Sequence, residues 1–183
     1  MSKKRIVVIC PGRGSYTRET SNYLKEYGTP VRKSIQWMDD QRETQGLLSL
    51  TNLDRQNFKA RTHMVGENAS SLIYACSFSD FMSIDRNKYE IESVLGNSMG
   101  WYTALVLSGA VSWEHGFHLI NTMGSMMKDE LIGAQMIYPI VDDAWNVDQN
   151  MKDLVMSELS NSGAYLSINL GGFIVIGGEK SAL

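Results

Sequence analysis

The stretch Ser93–Ser112, SVLGNSMGWYTALVLSGAVS, decides the fold. It contains Gly96-Asn97-Ser98-Met99-Gly100, a serine with a glycine two places to either side. The residues before it, Tyr89 to Leu95, read as a strand. Those after it, Trp101 to Ser108, read as a helix with Gly109 as its stop. In such an elbow the serine occupies the tip of a sharp turn, and the two glycines let backbones pass where side chains would collide. The amide of Met99 then faces a carbonyl bound at the serine, and the helix start adds partial positive charge for an oxyanion. A bare G-x-S-x-G recurs often by chance. The strand before and the helix after make Ser98 a candidate nucleophile as well as a helix cap, and the two roles are compatible.

Working outward, Ile6 to Cys10 is a short β-branched run that ends at Pro11-Gly12, a strand followed by the loop PGRGSYTRE. A glycine-rich loop after the first strand can stand beside the elbow and offer a second amide, from Arg13, to an oxyanion hole. The other reading is a phosphate-binding turn, but with no third glycine and no G-K-[ST] that signal is weak. Thr20 to Tyr27 reads as a helix closed by Gly28 and Pro30, and residues 31–60 as short helices. Ala69 to Ile84 is helical and apolar nearly all round, so a buried helix. Ser112 is placed to cap a further helix, with Glu114 in its first turn, running to about Leu131. Met123, Met126 and Met127 cluster on it as adaptable core or pocket lining, in a chain with eleven methionines. The character then changes. Ala134–Val141 reads as a strand, Val147–Leu159 as a helix, and Ala164–Asn169 and Phe173–Ile176 as strands joined by a hairpin at Gly171-Gly172.

The expected class is therefore α/β, with residues 1-132 as the core and 133-183 as a small β-α-β-β unit. That unit is the start of a ferredoxin-like arrangement, which needs a further helix and strand to close. The first part is also short of strands for an independent parallel sheet, so the architecture reads as a truncated piece of a larger domain. A net charge of −3 implies no bulk attraction to nucleic acid or anionic membrane. The apolar run near the N-terminus is too short for a signal or a span. Cys10 and Cys76 stand far apart, in no metal-ligand spacing, as expected of a cytoplasmic protein.

Three collinear segments carry a family resemblance. PGRGSY resembles the P-G-Q-G-S-Q loop of malonyl-CoA:acyl carrier protein transacylases and polyketide synthase acyltransferase domains. GNSMGWYTALVLSGAVSWEHGFHLINTMGSMM is similar, almost position for position, to their G-H-S-[LM]-G-E-Y run through R-G-x-x-M. INLGGFIVIGG resembles their N-x-[PG]-G-Q-x-V-I-[SA]-G strand. The resemblance implies an α/β-hydrolase-like core with an inserted ferredoxin-like subdomain, and the active site between them. It also implies acyl transfer through an acyl-serine on Ser98, with Met99 and Arg13 as oxyanion donors. No metal or cofactor is implied. Acyl-CoA is a substrate, and the partner is the phosphopantetheine arm of an acyl carrier protein. The family's base is a histidine that would lie beyond Leu183. His115 and His118 sit where the family has no base, and His63 lies in a poorly matched segment.

Four departures matter. Asn97 replaces the histidine before the serine and still donates a hydrogen bond. Arg13 replaces a glutamine; its backbone can still serve an oxyanion, and its guanidinium can instead bind an acid group. Trp101 replaces a glutamate. Met123 replaces the arginine that pairs with the malonyl carboxylate in the family, a bidentate contact worth well over ~1.5 kcal/mol when desolvated. Asn97 and Met123 are thus expected at an acyl pocket suited to uncharged acyl groups. Two other functions stay open from the sequence: an acyl hydrolase acting on carrier proteins, and a non-catalytic carrier-protein docking module.

Overall fold

The computed structural model describes residues 2–126 and 133–183. They divide into two compact units, Met1–Asp129 and Glu130–Leu183.

The first unit begins with β1 (Lys4–Cys10), whose β-branched run pairs in parallel with β2 (Tyr89–Gly96). Lys4 stands opposite Tyr89 and Cys10 opposite Gly96, with one irregularity between Ile6 and Val7. Arg5 and Glu92 form an ion pair across the two strands. A parallel pair needs a crossover, and here it is helical: α1 (Tyr23–Tyr27), α2 (Arg32–Thr44), α3 (Leu50–Arg55), α4 (Ala60–His63) and α5 (Gly66–Ser83). After β2 come α6 (Gly100–Leu107) and α7 (Trp113–Ser125).

The long helix α5 is the centre of this unit. Every residue from Asn68 to Ala75 is buried, as its apolar all-round composition requires. Met38, Leu50, Leu53, Leu72, Tyr74, Phe117 and Ile120 are fully buried in the same cluster. Burying one such side chain contributes roughly 1.5–3 kcal/mol. Helix α7 approaches α5 closely at Gly124, where an added Cβ would stand 2.5 Å from the Gly66 carbonyl oxygen and 3.2 Å from the Ser70 Cβ.

Polar groups buried among the helices are paired rather than stranded. Asp39 accepts the amides of Leu50 (2.6 Å) and Thr51 (3.2 Å), holding the start of α3. Asp54 accepts the Tyr16 hydroxyl (2.8 Å) and the Lys25 amide (3.2 Å). Burial, then the Asp54 carboxylate, raises the Tyr16 phenol far above its ordinary range. His63 is buried between Tyr16 and Phe58. Its Nδ1 accepts the Lys59 amide (3.0 Å) and its Nε2 lies 3.0 Å from the Leu53 carbonyl oxygen. This pattern assigns the proton to Nε2.

Two boundaries in this unit differ from the sequence reading. The helix expected over Thr20–Tyr27 is a 3-10 turn, Arg18–Thr20, then α1, with Asn22 left-handed between them (φ 68°). The buried helix starts three residues early, at Gly66. Helix α7 is capped as expected, Ser112 Oγ accepting the His115 amide, and is described to Ser125. Its extension to Leu131, and Met127 with it, lies outside the described residues.

The second unit is β3 (Ala134–Pro139), α8 (Gln149–Ser162), β4 (Tyr165–Asn169) and β5 (Phe173–Gly178). The sheet order is β3-β5-β4, antiparallel throughout. Ile140, Val155, Ala164, Ile174 and Ile176 form its core. Val147 is not the helix start that its apolar character suggests, because it bridges to Val141. Asp148 is the better cap, accepting the amides of Asn150 and Met151. The β4–β5 hairpin turns at Gly171 with φ 79°.

The His63 geometry generates a stability prediction. His63→Ala leaves the Lys59 amide without its side-chain acceptor and the Leu53 carbonyl without its partner, and opens a cavity beside Tyr16. We expect a loss of about 2–4 kcal/mol in urea unfolding. His115→Ala, at an exposed position, is expected to change stability by under about 1 kcal/mol.

Candidate active site

Ser98 sits in the three-residue link between β2, which ends at Gly96, and α6, which starts at Gly100. Its φ is 54°, in the left-handed region that L-residues rarely occupy. The turn is tied by the Gly100 amide to the Asn97 carbonyl (2.9 Å) and the Trp101 amide to the Ser98 carbonyl (3.0 Å). Holding a serine there costs of order 1–3 kcal/mol, which the surroundings must over-determine.

The two glycines show how. A Cβ on Gly96 would lie 2.1 Å from the Gly100 carbonyl oxygen, and one on Gly100 would lie 2.2 Å from the Cys10 and 2.9 Å from the Pro11 carbonyl oxygens. The elbow and the loop after β1 are therefore in backbone-to-backbone contact. Gly12 continues it, its Cβ direction ending 3.7 Å from both the Ser98 Cβ and the Asn97 carbonyl oxygen. The loop itself is a 3-10 turn, Arg13–Ser15. Parallel pairing of β1 and β2 places both strand ends at the same edge, so the two loops meet.

Beside the elbow lies a cavity of about 220 Å³. Four residues singled out from the sequence share its wall: Arg13, Ser98, Met99 and Met123. Ser70 on α5, Tyr102 on α6, and Ile120 and Gly124 on α7 complete it. Met99 is buried, and its sulfur accepts the Thr103 hydroxyl at 3.7 Å. Arg13 is half-buried and has no acidic partner among the described residues. Asn97, expected at the acyl pocket, is exposed on the elbow and is not part of this wall. Trp101 points a largely apolar surface outward, 65% exposed.

None of the three histidines reaches the cavity wall. His63 is locked into the helical core as described. His115 is exposed, with Nδ1 3.1 Å from the Ser112 hydroxyl. His118 lies exposed on α7 with its ring edge-on to Trp37. Among the described residues no cluster of three or more metal-ligating side chains occurs, and no helix is long and apolar enough to cross a membrane. Cys10 is buried and Cys76 partly so, both as free thiols. Ser70, Tyr102, Ile120 and Gly124 went unmarked in the sequence, although helical spacing links Met123 to Ile120 and Ile120 to Gly124.

This mixed α/β arrangement matches part of the fold of solved malonyl-CoA:acyl carrier protein transacylases. The malonyl CoA-acyl carrier protein transacylase of Coxiella burnetii superposes over 98% of this chain and 55% of its own, with a TM-score of 0.71 at 16% identity. The acyl-carrier-protein-S-malonyltransferase of Bartonella henselae matches over 98% of this chain and 56% of its own, with a TM-score of 0.75 at 22% identity. A malonyl-transacylase solved in complex with a type II PKS acyl-carrier protein matches over 99% and 56%, with a TM-score of 0.73 at 22% identity. The chain thus spans little more than half the length of these structures. No protein-family model matches the chain, and neither does any curated protein sequence.

Two glycine substitutions test the elbow. Gly100→Ala drives a methyl group into the Cys10 and Pro11 carbonyls and is expected to cost more than about 2 kcal/mol. In the full-length protein it should also abolish any fluorophosphonate labelling of Ser98. Gly14, in the same loop, has nothing within 4 Å of its Cβ direction. Gly14→Ala should therefore leave stability within about 0.5 kcal/mol and labelling intact. Thermal melts and intact-mass spectrometry read both.

Proposed function

We propose that this chain is the nucleophile-bearing part of an acyl-CoA:acyl carrier protein S-acyltransferase, cytoplasmic, with an α/β-hydrolase-like core and a ferredoxin-like subdomain beginning near residue 133. The observation that carries the proposal is the shared wall: a serine with φ 54° and Arg13, Met99 and Met123 around one cavity. The likeness to transacylase structures supports it at the level of fold.

In this reading the Ser98 hydroxyl adds to the thioester carbonyl of acyl-CoA while a general base takes its proton. The amides of Met99 and Arg13 hold the oxyanion. The carbon–sulfur bond breaks, coenzyme A leaves as the thiol with the proton returned, and the acyl group stays on Ser98. The phosphopantetheine thiol of the carrier protein then adds to the acyl-serine, loses its proton to the base and displaces the Ser98 oxygen, which is reprotonated. No histidine of this chain lines the cavity, so in this reading the base is a group other than His63, His115 and His118. The acyl carrier protein in complex with one of the matched transacylases supports the choice of acceptor. Hydrolysis instead of transfer would need water to reach the acyl-serine in place of the thiol.

Met123 bears on the acyl group. A carboxylate placed against it is desolvated without a partner, at a cost of a few kcal/mol, roughly a hundredfold in rate. We therefore assign an uncharged acyl group to this cavity. The competing reading, favoured by an Arg13 on the same wall that has no acidic partner among the described residues, has that guanidinium hold a carboxylate from the other side.

The test is Ser98 acylation in the full-length protein, with malonyl-CoA and acetyl-CoA in competition, read by intact mass. The expected result is acetyl on wild type, a shift toward malonyl in Met123→Arg, and no acyl group on Ser98→Ala. Efficient malonyl loading that Arg13→Gln alone abolishes would overturn the selectivity and make Arg13 the clamp. Absence of any acyl group from Ser98 would sink the acyltransferase reading. Transfer is confirmed by movement of the label to holo carrier protein, hydrolysis by its loss to water.

A further inference from the structure

Behind the cavity wall lies the sole buried cation among the described residues. Arg42, on α2, is 0% exposed. Its guanidinium spends four of its five N–H groups on neutral acceptors from three other segments. Nε donates to the Leu48 carbonyl (2.6 Å), Nη1 to the Glu67 carbonyl (2.9 Å) and to Asn121 Oδ1 (2.7 Å), and Nη2 to Asn68 Oδ1 (2.7 Å). Asn121 also accepts the Ser71 hydroxyl (2.9 Å) and donates to Gln45 Oε1 (2.8 Å). Asn68 donates onward to the Thr62 carbonyl (2.9 Å). Burial brings the guanidinium down to about 10, while Glu67 and Asp39, acting through space, favour its charged form. It remains a cation at neutral pH.

The placement of this network matters more than its size. Asn121 and Ser71 are the immediate chain neighbours of Ile120 and Ser70, which line the cavity. Gly124, one turn along α7, is where the two helices nearly touch. The seam between α5 and α7 is thus part of the cavity wall on one side and is pinned by Arg42 on the other. Taking a cation out of water is costly, and a methionine or leucine would fill the same volume without that cost. What an apolar side chain lacks is a planar fork that fixes several acceptors at set angles.

We infer that Arg42 is a positioning residue that sets the width of the Ser98 cavity by holding Asn121 of α7 against Asn68 and Ser71 of α5. The inference rests on the acyltransferase reading for what the cavity holds. Its geometric content, the spacing of the α5–α7 wall, does not depend on that reading. Lysine in place of Arg42 keeps the charge but cannot bridge the same acceptors, so the seam relaxes and a longer acyl chain gains entry.

The experiment compares acetyl-CoA with hexanoyl-CoA as donors to Ser98 in the full-length protein, for wild type, Arg42→Lys, Asn121→Ala and His63→Ala. His63→Ala is the control for lost stability, because it removes a buried polar group that touches no part of the wall. The expected result is a hexanoyl-over-acetyl ratio of kcat/KM raised about tenfold in both Arg42→Lys and Asn121→Ala, the scale at which apolar pockets discriminate chain length. His63→Ala should lower the melting temperature and leave the ratio as in wild type. An unchanged ratio in the two seam variants, or an equal shift in His63→Ala, overturns the inference. A crystal structure of Arg42→Lys, or of Asn121→Ala if the lysine variant does not fold, measures the wall directly. A cavity no larger than in wild type overturns the inference even if Ser98 accepts no acyl group, an outcome that by itself would count only against the acyltransferase reading.

Discussion

The contact on which the first unit's elbow depends is between two pieces of backbone. Gly100 lies so close to the carbonyls of Cys10 and Pro11 that no side chain fits between them. That approach is possible only because β1 and β2 run parallel in register, ending together at Cys10 and Gly96. With the strand ends level, the chain leaving β1 and the chain leaving β2 must pass within van der Waals distance. Glycines at positions 96 and 100 make room, and the serine between them is held at a backbone angle it would not choose alone.

A rigid elbow is useful only against a rigid wall, and the helices supply it by two different means. Around Met38, Leu50, Leu53, Leu72 and Phe117 the means is close apolar packing. Toward the α5–α7 seam it is hydrogen bonding among Arg42, Asn68, Ser71 and Asn121. Packing resists compression, but side chains of similar volume substitute for one another at modest cost. A satisfied polar network tolerates fewer substitutions, since each lost partner strands another buried group. The division suits a molecule whose bulk need only be solid while one wall must keep its spacing.

Much of the site was legible in the sequence because its signals are local. A serine flanked by glycines between a strand-like and a helix-like run specifies an elbow without further context, and Ser112 and Gly171 announce a cap and a hairpin in the same way. Residues 31–60 were opaque for the opposite reason. They hold one full helix, α2, and the short α3, whose start is fixed by a tertiary contact: Asp39 reaches forward to the amides of Leu50 and Thr51. Val147 misled because a β-branched residue before a helix looks like its beginning, whereas it pairs with Val141. Arg42 carried no signal at all, standing as one polar residue in an amphipathic helix while its acceptors come from positions 48, 67, 68 and 121. What holds His63 in the helical core likewise became visible only with its two backbone partners.

The pairing of β1 with β2 also has a kinetic side. Cys10 and Gly96 are roughly 86 positions apart along the chain, and closing a loop of that length carries an entropic cost near 4 kcal/mol beyond a constant. Helices α2, α3 and α5 are stabilised by contacts nearer in sequence and can order before that loop closes. Ser98 then acquires its left-handed backbone only when the two strands meet, because the carbonyls that crowd Gly100 belong to the far end of the loop. A partly folded chain therefore carries a serine with ordinary backbone, and the left-handed turn at Ser98 reports that the long loop between β1 and β2 has closed.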